Sequence, residues 1–531
     1  MAKDLLFPQP ASCWVPGLPP EPPPALGLDY LREPGQPVCD SPATHREPRM
    51  GASPGSLLSL LLGLLLISAL GVLGTNPGLV ARITDKGLAY GAQEGLLGLQ
   101  RELQKIKLPN FNGDFKIKHV GHGSYEFHSL DIRSCELRGS VLKPLPSHGL
   151  SLSISDSSIH MQGRWKVKLN RFMKPQGSFD LQVEDITIAI NLLLGSEPSG
   201  RPTVTASSCN SYIRRVEVDL SGGLGWLLKL LRDQIQSRFR RVLESKICEM
   251  VQKSVTSDLQ PYLQTLPVTA KIDSFLDVDY SLTEAPQATA QMLDVLFKGE
   301  IFYHNHRSPV ALLPPVLSLP EDHTQMVYFA ISDYVFNTAS LVYYQAGYMN
   351  FSFTDDMIPS DSPFRLTTGS FRAFAPRIAR LYPNMNLELQ GGVVSAPLLQ
   401  LSPGNLSVTS QIEIEGFVLL PSSVRKPIFR LDVVTNVSAT LNLNTSRITG
   451  ILDPGKLHVE LKESKVGVFN VELLAGFLNY FMLNTLYPEI NEKLAQGFPL
   501  PLLKHIQLYD LVLQIHKDFL FLGANIQYMR V

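Results

Sequence analysis

The sequence predicts an α+β chain in which a curved antiparallel sheet, wrapped on a long helix, is built twice. Three observations carry this. Long runs alternate apolar and polar residues at the strand period of two, as at Leu150, Leu152 and Ile154. Two stretches, about Leu224 to Leu259 and Val471 to Leu494, carry apolar residues at helical spacing instead. The order helix, strands, helix with prolines, strand occurs in both halves, an internal duplication of about 225 residues per copy.

The elements follow in order. Residues 1–49 lack apolar periodicity and hold runs such as Pro22-Pro23-Pro24, so they read as a disordered extension from an upstream start. Residues 50–74 read as a signal peptide: Met50 as effective start, an apolar run from Leu57 to Leu70, and small residues before a cleavage point at Gly74–Thr75. An uncleaved signal anchor is the alternative, because Ser56 to Gly74 is nearly long enough to cross a bilayer. A first helix is expected from Asn76-Pro77 to about Ile106, carrying Gly87, Gly91, Gly95 and Gly98, which would permit close approach of sheet backbone. Strands fill Phe115 to Leu194, with a parity shift and hence a bulge near Ser157. The second helix, Leu224 to Leu259, is expected to end at Pro261 and Pro267. More strands lead to Tyr303, closing a first domain over 75–303.

Residues 304–324 hold Pro309, Pro314, Pro315 and Pro320 and read as an extended linker. A second domain over 325–531 starts with strands around Met326 to Val335, then a helix from about Phe364 to Leu381. Alternating strands from Val408 to Val468, a last helix over Val471 to Leu494 and a final strand pair complete it.

Of 531 residues, 44% are hydrophobic and only 18% charged, and the net charge is −1. That balance hides segregation. From Arg101 to Lys174 there are 13 Lys+Arg against 6 Asp+Glu, whereas Pro175 to Glu300 carries 12 against 16. Such asymmetry points to an anionic partner at one place, not to nucleic acid. Cysteines agree with secretion: Cys13 and Cys39 fall in the discarded part, and Cys135, Cys209 and Cys248 lack metal-ligand spacing. One disulfide and one free thiol is the simplest accounting, with Cys209–Cys248 the chosen pair. Sequons at Asn350, Asn405, Asn436 and Asn444 all lie in the second half and are expected to be glycosylated.

The positive charge gathers around Gly163 to Lys174. Arg164, Lys166 and Lys168 alternate with Trp165, Val167 and Leu169, so three cations share one strand face and three apolar groups the other. Arg171 and Lys174 follow around Phe172 and Met173, before a turn at Pro175-Gln176-Gly177. Taken alone, the stretch reads as a solvated edge strand whose lysines block aggregation. Set in a secreted, duplicated, apolar-rich chain, it becomes a docking face for a negatively charged amphiphile. Between helix and sheet the apolar space is either a packed core or a partly open lipid pocket, and composition admits both. No Gly-x-Ser-x-Gly elbow, His-Glu-x-x-His or Gly-Lys-Ser/Thr loop is present, and no metal or catalytic cofactor is expected; the chain does not read as an enzyme.

Four blocks carry a family resemblance: Asn76-Pro77-Gly78-Leu79-Val80-Ala81-Arg82-Ile83-Thr84-Asp85-Lys86-Gly87-Leu88, Leu259-Gln260-Pro261-Tyr262, Ile331-Ser332-Asp333-Tyr334 with the residues that follow, and Phe498-Pro499-Leu500-Pro501. Together they resemble the bactericidal/permeability-increasing and plasma lipid-transfer protein family over about Asn76 to Val531. The resemblance implies a boomerang of two similar barrels joined by a central antiparallel sheet, each with an apolar pocket for a bound phospholipid, and the Cys209–Cys248 pair. By similarity, the first barrel binds the lipid A part of lipopolysaccharide at the bacterial outer membrane surface, through Arg164, Trp165, Lys166, Lys168, Arg171, Phe172 and Lys174, joined by Lys116 and Lys118. Monomers would then pass to a co-receptor on myeloid cells, engaged by the second barrel. A plasma phospholipid-transfer protein, or a directly membrane-permeabilising antibacterial protein, are the alternatives. One departure stands out: where the family pattern has two adjacent basic residues, this chain has Lys168-Leu169.

Overall fold

A computed structural model describes residues 76–529, apart from 106, 118–120, 147–148, 170–173, 223–224, 266–267, 273–274, 305–306, 308–310, 359–363, 422–423, 445–446, 497 and 500–505. The expected extension and leader, 1–74, lie outside the described residues.

The described chain begins with a strand, β1 (Leu79–Ile83), where the sequence suggested helix. Two antiparallel neighbours claim it, pairing Val80 with Leu296 on one side and with Ala330 on the other. Long-range pairing overrides local propensity here. Helix α1 (Asp85–Gln104) starts only after Thr84, whose side chain caps it by accepting from the Gly87 N–H.

A six-stranded curved sheet follows: β2 (Phe111–Ile117), β3 (Gly121–Glu136), β4 (Ser140–Leu145), β5 (Gly149–Lys168), β6 (Gln176–Ser196) and β7 (Pro202–Leu220). The expected bulge is present: β5–β6 register shifts on both sides of Ser157, next to Asp156 with φ of 53°. Helix α2 (Gly225–Ser254) packs on the sheet's inner face. Its buried residues Ile235, Phe239, Leu243, Ile247 and Val251, continued by Val255, recur at every fourth position. Each such step advances about 40° around a helix, so the apolar stripe winds and follows the twist of the sheet. The Cys209–Cys248 disulfide ties β7 to α2, with Cα atoms 5.7 Å apart.

Pro261 does not end this helix as expected, and Pro267 lies outside the described residues. A five-residue π turn, Val255–Leu259, intervenes, and the Gln260 N–H reaches the Val255 carbonyl. Pro261 then lies in the first turn of α3 (Gln260–Gln264), where its missing N–H is harmless.

Five short strands come next: β8 (Thr269–Lys271), β9 (Leu276–Asp279), β10 (Gln287–Ala288), β11 (Leu293–Phe297) and β12 (Glu300–Tyr303). Beyond the linker, β13 (Val327–Ser332) is shorter than expected, and α4 (Asp333–Gln345) replaces its continuation. Tyr334, Val335, Asn337, Thr338 and Val342 are the buried side of α4, mostly β-branched and aromatic residues that equally suit a strand. After β14 (Asn350–Thr354), the helix expected over Phe364 to Leu381 reduces to a short 3₁₀ turn, Ser370–Ala373, and a four-residue α5 (Ile378–Leu381). Pro376 interrupts it by removing a backbone donor.

A second curved sheet contains β15 (Asn386–Val393), β16 (Leu398–Ser402), β17 (Asn405–Leu419), β18 (Arg425–Asn444), β19 (Arg447–Asp453) and β20 (Leu457–Ser464) together with β14. Its long helix is α6 (Val471–Phe481), a π turn Met482–Leu486, and α7 (Tyr487–Gln496). Pro488 stands two residues past this π turn, as Pro261 stands two past the first. The duplication thus extends to a shared defect in the long helix, which the two sequences barely resemble each other in producing.

After β21 (Phe498–Pro499), strands β22 (Ile506–His516) and β23 (Phe519–Tyr528) return to a central sheet of order β10-β11-β1-β13-β23-β22, drawn from both halves. Arg82 of β1 grips Asp294 of β11 there through two hydrogen bonds, Nε to Oδ1 at 2.8 Å and Nη2 to Oδ2 at 2.7 Å, and donates to the Pro320 carbonyl of the linker. The architecture is α+β: two curled antiparallel half-barrels, each closed by helices, and a central antiparallel sheet.

Candidate lipid-binding site

The β5–β6 hairpin carries the basic stretch. Strand parity does what the sequence suggested: Trp165 and Val167 are buried, and Arg164, Lys166 and Lys168 are exposed on the opposite face. Register aligns Lys168 with Ser124, Lys166 with Glu126 and Arg164 with His128 on β3. Lys174 is exposed on the return side. Arg171 and Phe172 lie outside the described residues, as does Lys118. Lys116 is exposed on β2 opposite His122, two strands from β5. Asp114 and Glu126 stand between it and Lys166 in the register, so the cations form a face punctuated by carboxylates.

Trp165 corrects the sequence reading. It is 0% exposed, and its indole N–H donates to the carbonyls of Ser178 and Ser221, both at 3.1 Å. Parity puts it in the core with Phe127 and Phe179, where it anchors the hairpin's base away from the surface. Leu169, half-buried, packs against the same core.

A second feature lies where the two long helices meet the sheet, and it opens to solvent past Arg101, Lys105 and Asp258. Between α1, the end of α2 and strands β5 and β6 runs a largely apolar cavity of about 610 Å³, lined by Leu96, Leu99, Ile154, Ile190, Leu192 and Val255 among others. Gly95 and Gly98 line it as well, and a Cβ built on either, or on Gly91, would meet no atom within 4 Å. The expectation that these glycines admit sheet backbone is therefore wrong for all three. Gly87 alone of the four meets main chain, where a Cβ would overlap the Met326 carbonyl oxygen in the bend before β13 (Val327–Ser332). The bare helix face borders open space instead. Spacing alone does not say what faces a glycine.

Sequence reasoning also missed Lys229 and Arg232. Both stand exposed on α2 and line a polar cavity of about 600 Å³ together with Arg164. Their positions off the apolar stripe of α2 were readable, but their nearness to the hairpin depends on how α2 crosses β7.

Asn350, Asn405 and Asn436 are exposed, so three of the four sequons meet the first requirement for glycosylation. Among the described residues, no helix is long and apolar enough to cross a membrane.

Comparisons with known proteins bear on the family. Residues 87–262 match the N-terminal domain model of the LBP / BPI / CETP family, and residues 270–528 match its C-terminal domain model. The chain is 72% identical over 482 residues to the lipopolysaccharide-binding protein of Homo sapiens, covering 91% of this chain and 100% of that one. It is 41% identical over 456 residues to the bactericidal permeability-increasing protein of Rattus norvegicus, covering 85% of this chain and 94% of the relative. A crystal structure of a lipopolysaccharide binding protein superposes with a TM-score of 0.63 at 64% identity, over 86% of this chain and all of that one. The chain belongs to the LBP / BPI / CETP family of lipid-binding proteins.

Proposed function

We propose that this chain is a secreted, non-enzymatic lipid carrier that captures lipopolysaccharide by its lipid A end and hands monomers to a receptor partner on myeloid cells. The observation that carries the reading is the exposed row Arg164, Lys166 and Lys168, which has no ion-pair partner among the described residues. Lys174 and Arg171 extend it in sequence. The relatives named for lipopolysaccharide binding support the choice of ligand. In this reading residues 75–303 form the lipid A-binding part, 304–324 the linker, and 325–531 the part that engages the co-receptor and carries the glycans, after a leader over 50–74 is removed.

Magnitudes divide the labour. A basic residue near an anionic surface contributes about 1 kcal/mol, so five supply about 5. An acyl chain of about a dozen carbons costs roughly 8–10 kcal/mol to expose, at ~0.8 per methylene. Charge docks the protein, and extraction needs apolar cover. With Trp165 locked in the core, that cover falls to the cavity between α1 and α2, to Phe172 and Met173, or to the receptor partner.

The test is Lys166→Glu, Lys168→Glu and Arg171→Glu in one chain. Capture of immobilised lipopolysaccharide is expected to vanish while circular dichroism and thermal unfolding stay unchanged. Full capture by the folded triple variant refutes the docking role. The apolar cavity, suited to a bound phospholipid, favours a second reading as a phospholipid carrier. Parallel transfer assays with fluorescent phospholipid and lipopolysaccharide separate the two.

A further inference from the structure

Beside the cationic row lies the polar cavity of about 600 Å³, a size typical of sites for ligands of a few rings, roughly 300–1,000 Å³. Strands β3, β5, β6 and β7 all contribute to it, and Lys229 and Arg232 reach it from α2. Part of its wall is a fixed relay of hydrogen bonds. Arg133 Nε donates to Gln162 Oε1 at 3.0 Å, Gln162 Nε2 donates to Asp180 Oδ2 at 2.9 Å, and His160 Nε2 lies 2.6 Å from Asp180 Oδ1. By contrast Arg164, Lys229 and Arg232 have no ion pair or side-chain hydrogen bond among the described residues.

The chemistry narrows the occupant. An acyl chain would strip water from charged groups without replacing their hydrogen bonds, which is costly. The four cations Arg133, Arg164, Lys229 and Arg232 face three carboxylates, Asp131, Asp180 and Asp219, so a densely charged polyanion would meet repulsion as well as attraction. What suits the mixture is a ligand with a few negative charges and many hydroxyls. Guanidinium and ammonium groups take phosphate, and carboxylate, amide and serine side chains pair with sugar hydroxyls.

Resting on the capture reading above for the source of such a ligand, we propose that this cavity is a subsite for a phosphorylated saccharide, the sugar end of the captured glycolipid. Lys229 and Arg232 are its specific cations. They would hold the headgroup from the side while the hairpin tip grips the membrane surface.

The probe is the water-soluble phosphorylated oligosaccharide left after complete deacylation of a Gram-negative glycolipid, titrated calorimetrically into the full chain. One saturable site is expected, weakened at least about tenfold by Lys229→Gln with Arg232→Gln. Removing the phosphates with phosphatase is expected to weaken it by about tenfold or more. A sulfated glycosaminoglycan hexasaccharide serves as the other anionic sugar, and equal or tighter binding of it overturns the sugar-phosphate assignment. Wild-type protein that captures whole lipopolysaccharide yet shows no saturable oligosaccharide binding overturns the subsite and leaves the capture reading intact. Wild-type protein that binds the oligosaccharide but not whole lipopolysaccharide overturns the capture reading alone. Should the Lys229 and Arg232 variant fail to fold, hydrogen exchange on the wild type decides: added oligosaccharide protects the backbone around 129–133 and 229–232, and absence of protection there refutes the site.

Discussion

The Trp165 indole lies where a side chain on Gly177 would have to go: a Cβ on that glycine would sit 2.8 Å from both Cε2 and Cζ2 of the ring. The same Cβ would overlap the Ser221 carbonyl oxygen, an acceptor for the indole N–H. The base of the hairpin is therefore a three-way lock between β5, β6 and the end of β7. Gly177→Ala is expected to lower unfolding stability by about 1–3 kcal/mol through overpacking, and Trp165→Ala by about 3–5 kcal/mol. Urea denaturation measures both. Any loss of lipid capture in these variants should track the fraction unfolded, unlike the effect of the exposed lysines.

Filling the apolar cavity should separate uptake from stability. Gly95→Leu with Gly98→Leu places bulk in open space next to Leu96 and Leu99, and each change also removes the roughly 0.8–1 kcal/mol that glycine costs a helix. The expected outcome is a chain of equal or greater thermal stability that carries less phospholipid. Mass spectrometry of lipid retained after incubation with phospholipid vesicles gives the readout. Undiminished lipid content would refute a lipid-holding role for this cavity.

Much of this is legible in the sequence, because strand parity is a strong signal. It separated Trp165 from Lys166 and located the bulge at Ser157. Partnership was not legible. Leu79–Ile83 became a strand because β11 and β13 claim it, and the buried face of α4 was written in residues that equally suit a strand. Glycines on α1 announced a special face without saying whether backbone or empty space lay opposite. Lys229 and Arg232 joined the site only through the crossing of α2 over β7, which no local pattern encodes.

The Cys209–Cys248 bond closes a sequence separation of 39 residues, and cross-links of that size contribute about 3–4 kcal/mol. Cys209→Ser with Cys248→Ser is expected to lose about that much and to loosen α2 from β7 first. Hydrogen exchange along α2 should rise before exchange in the second half-barrel does. Uniform acceleration across the chain would show that the bond acts on the unfolded state alone.

Cys135 is the remaining thiol of the described chain and is buried on β3. Burial, helped by the neighbouring Glu136 charge, pushes it up to about 11. Iodoacetamide at pH 8 should leave it unmodified in the native protein and label it fully in urea. Because the fold keeps the proton, its contribution to stability is complete below the unfolded thiol's range, near ~8.5, and is lost as pH rises towards 11. Rapid native labelling at pH 8 would contradict both statements.

The register at the hairpin base bears on how its length can vary. Pairing of Trp165 with Gly177 and of Lys166 with Gln176 fixes which side each later residue of β5 and earlier residue of β6 presents. An extra residue inserted upstream of Trp165 would invert the strand, sending lysines into the core and the indole into water. An insertion between Leu169 and Pro175 falls beyond the last position paired among the described residues, so it leaves the parity of Trp165 and Lys166 unchanged. Related chains can therefore lengthen, shorten or recharge this tip one residue at a time, and change what they hold without rebuilding the barrel beneath it.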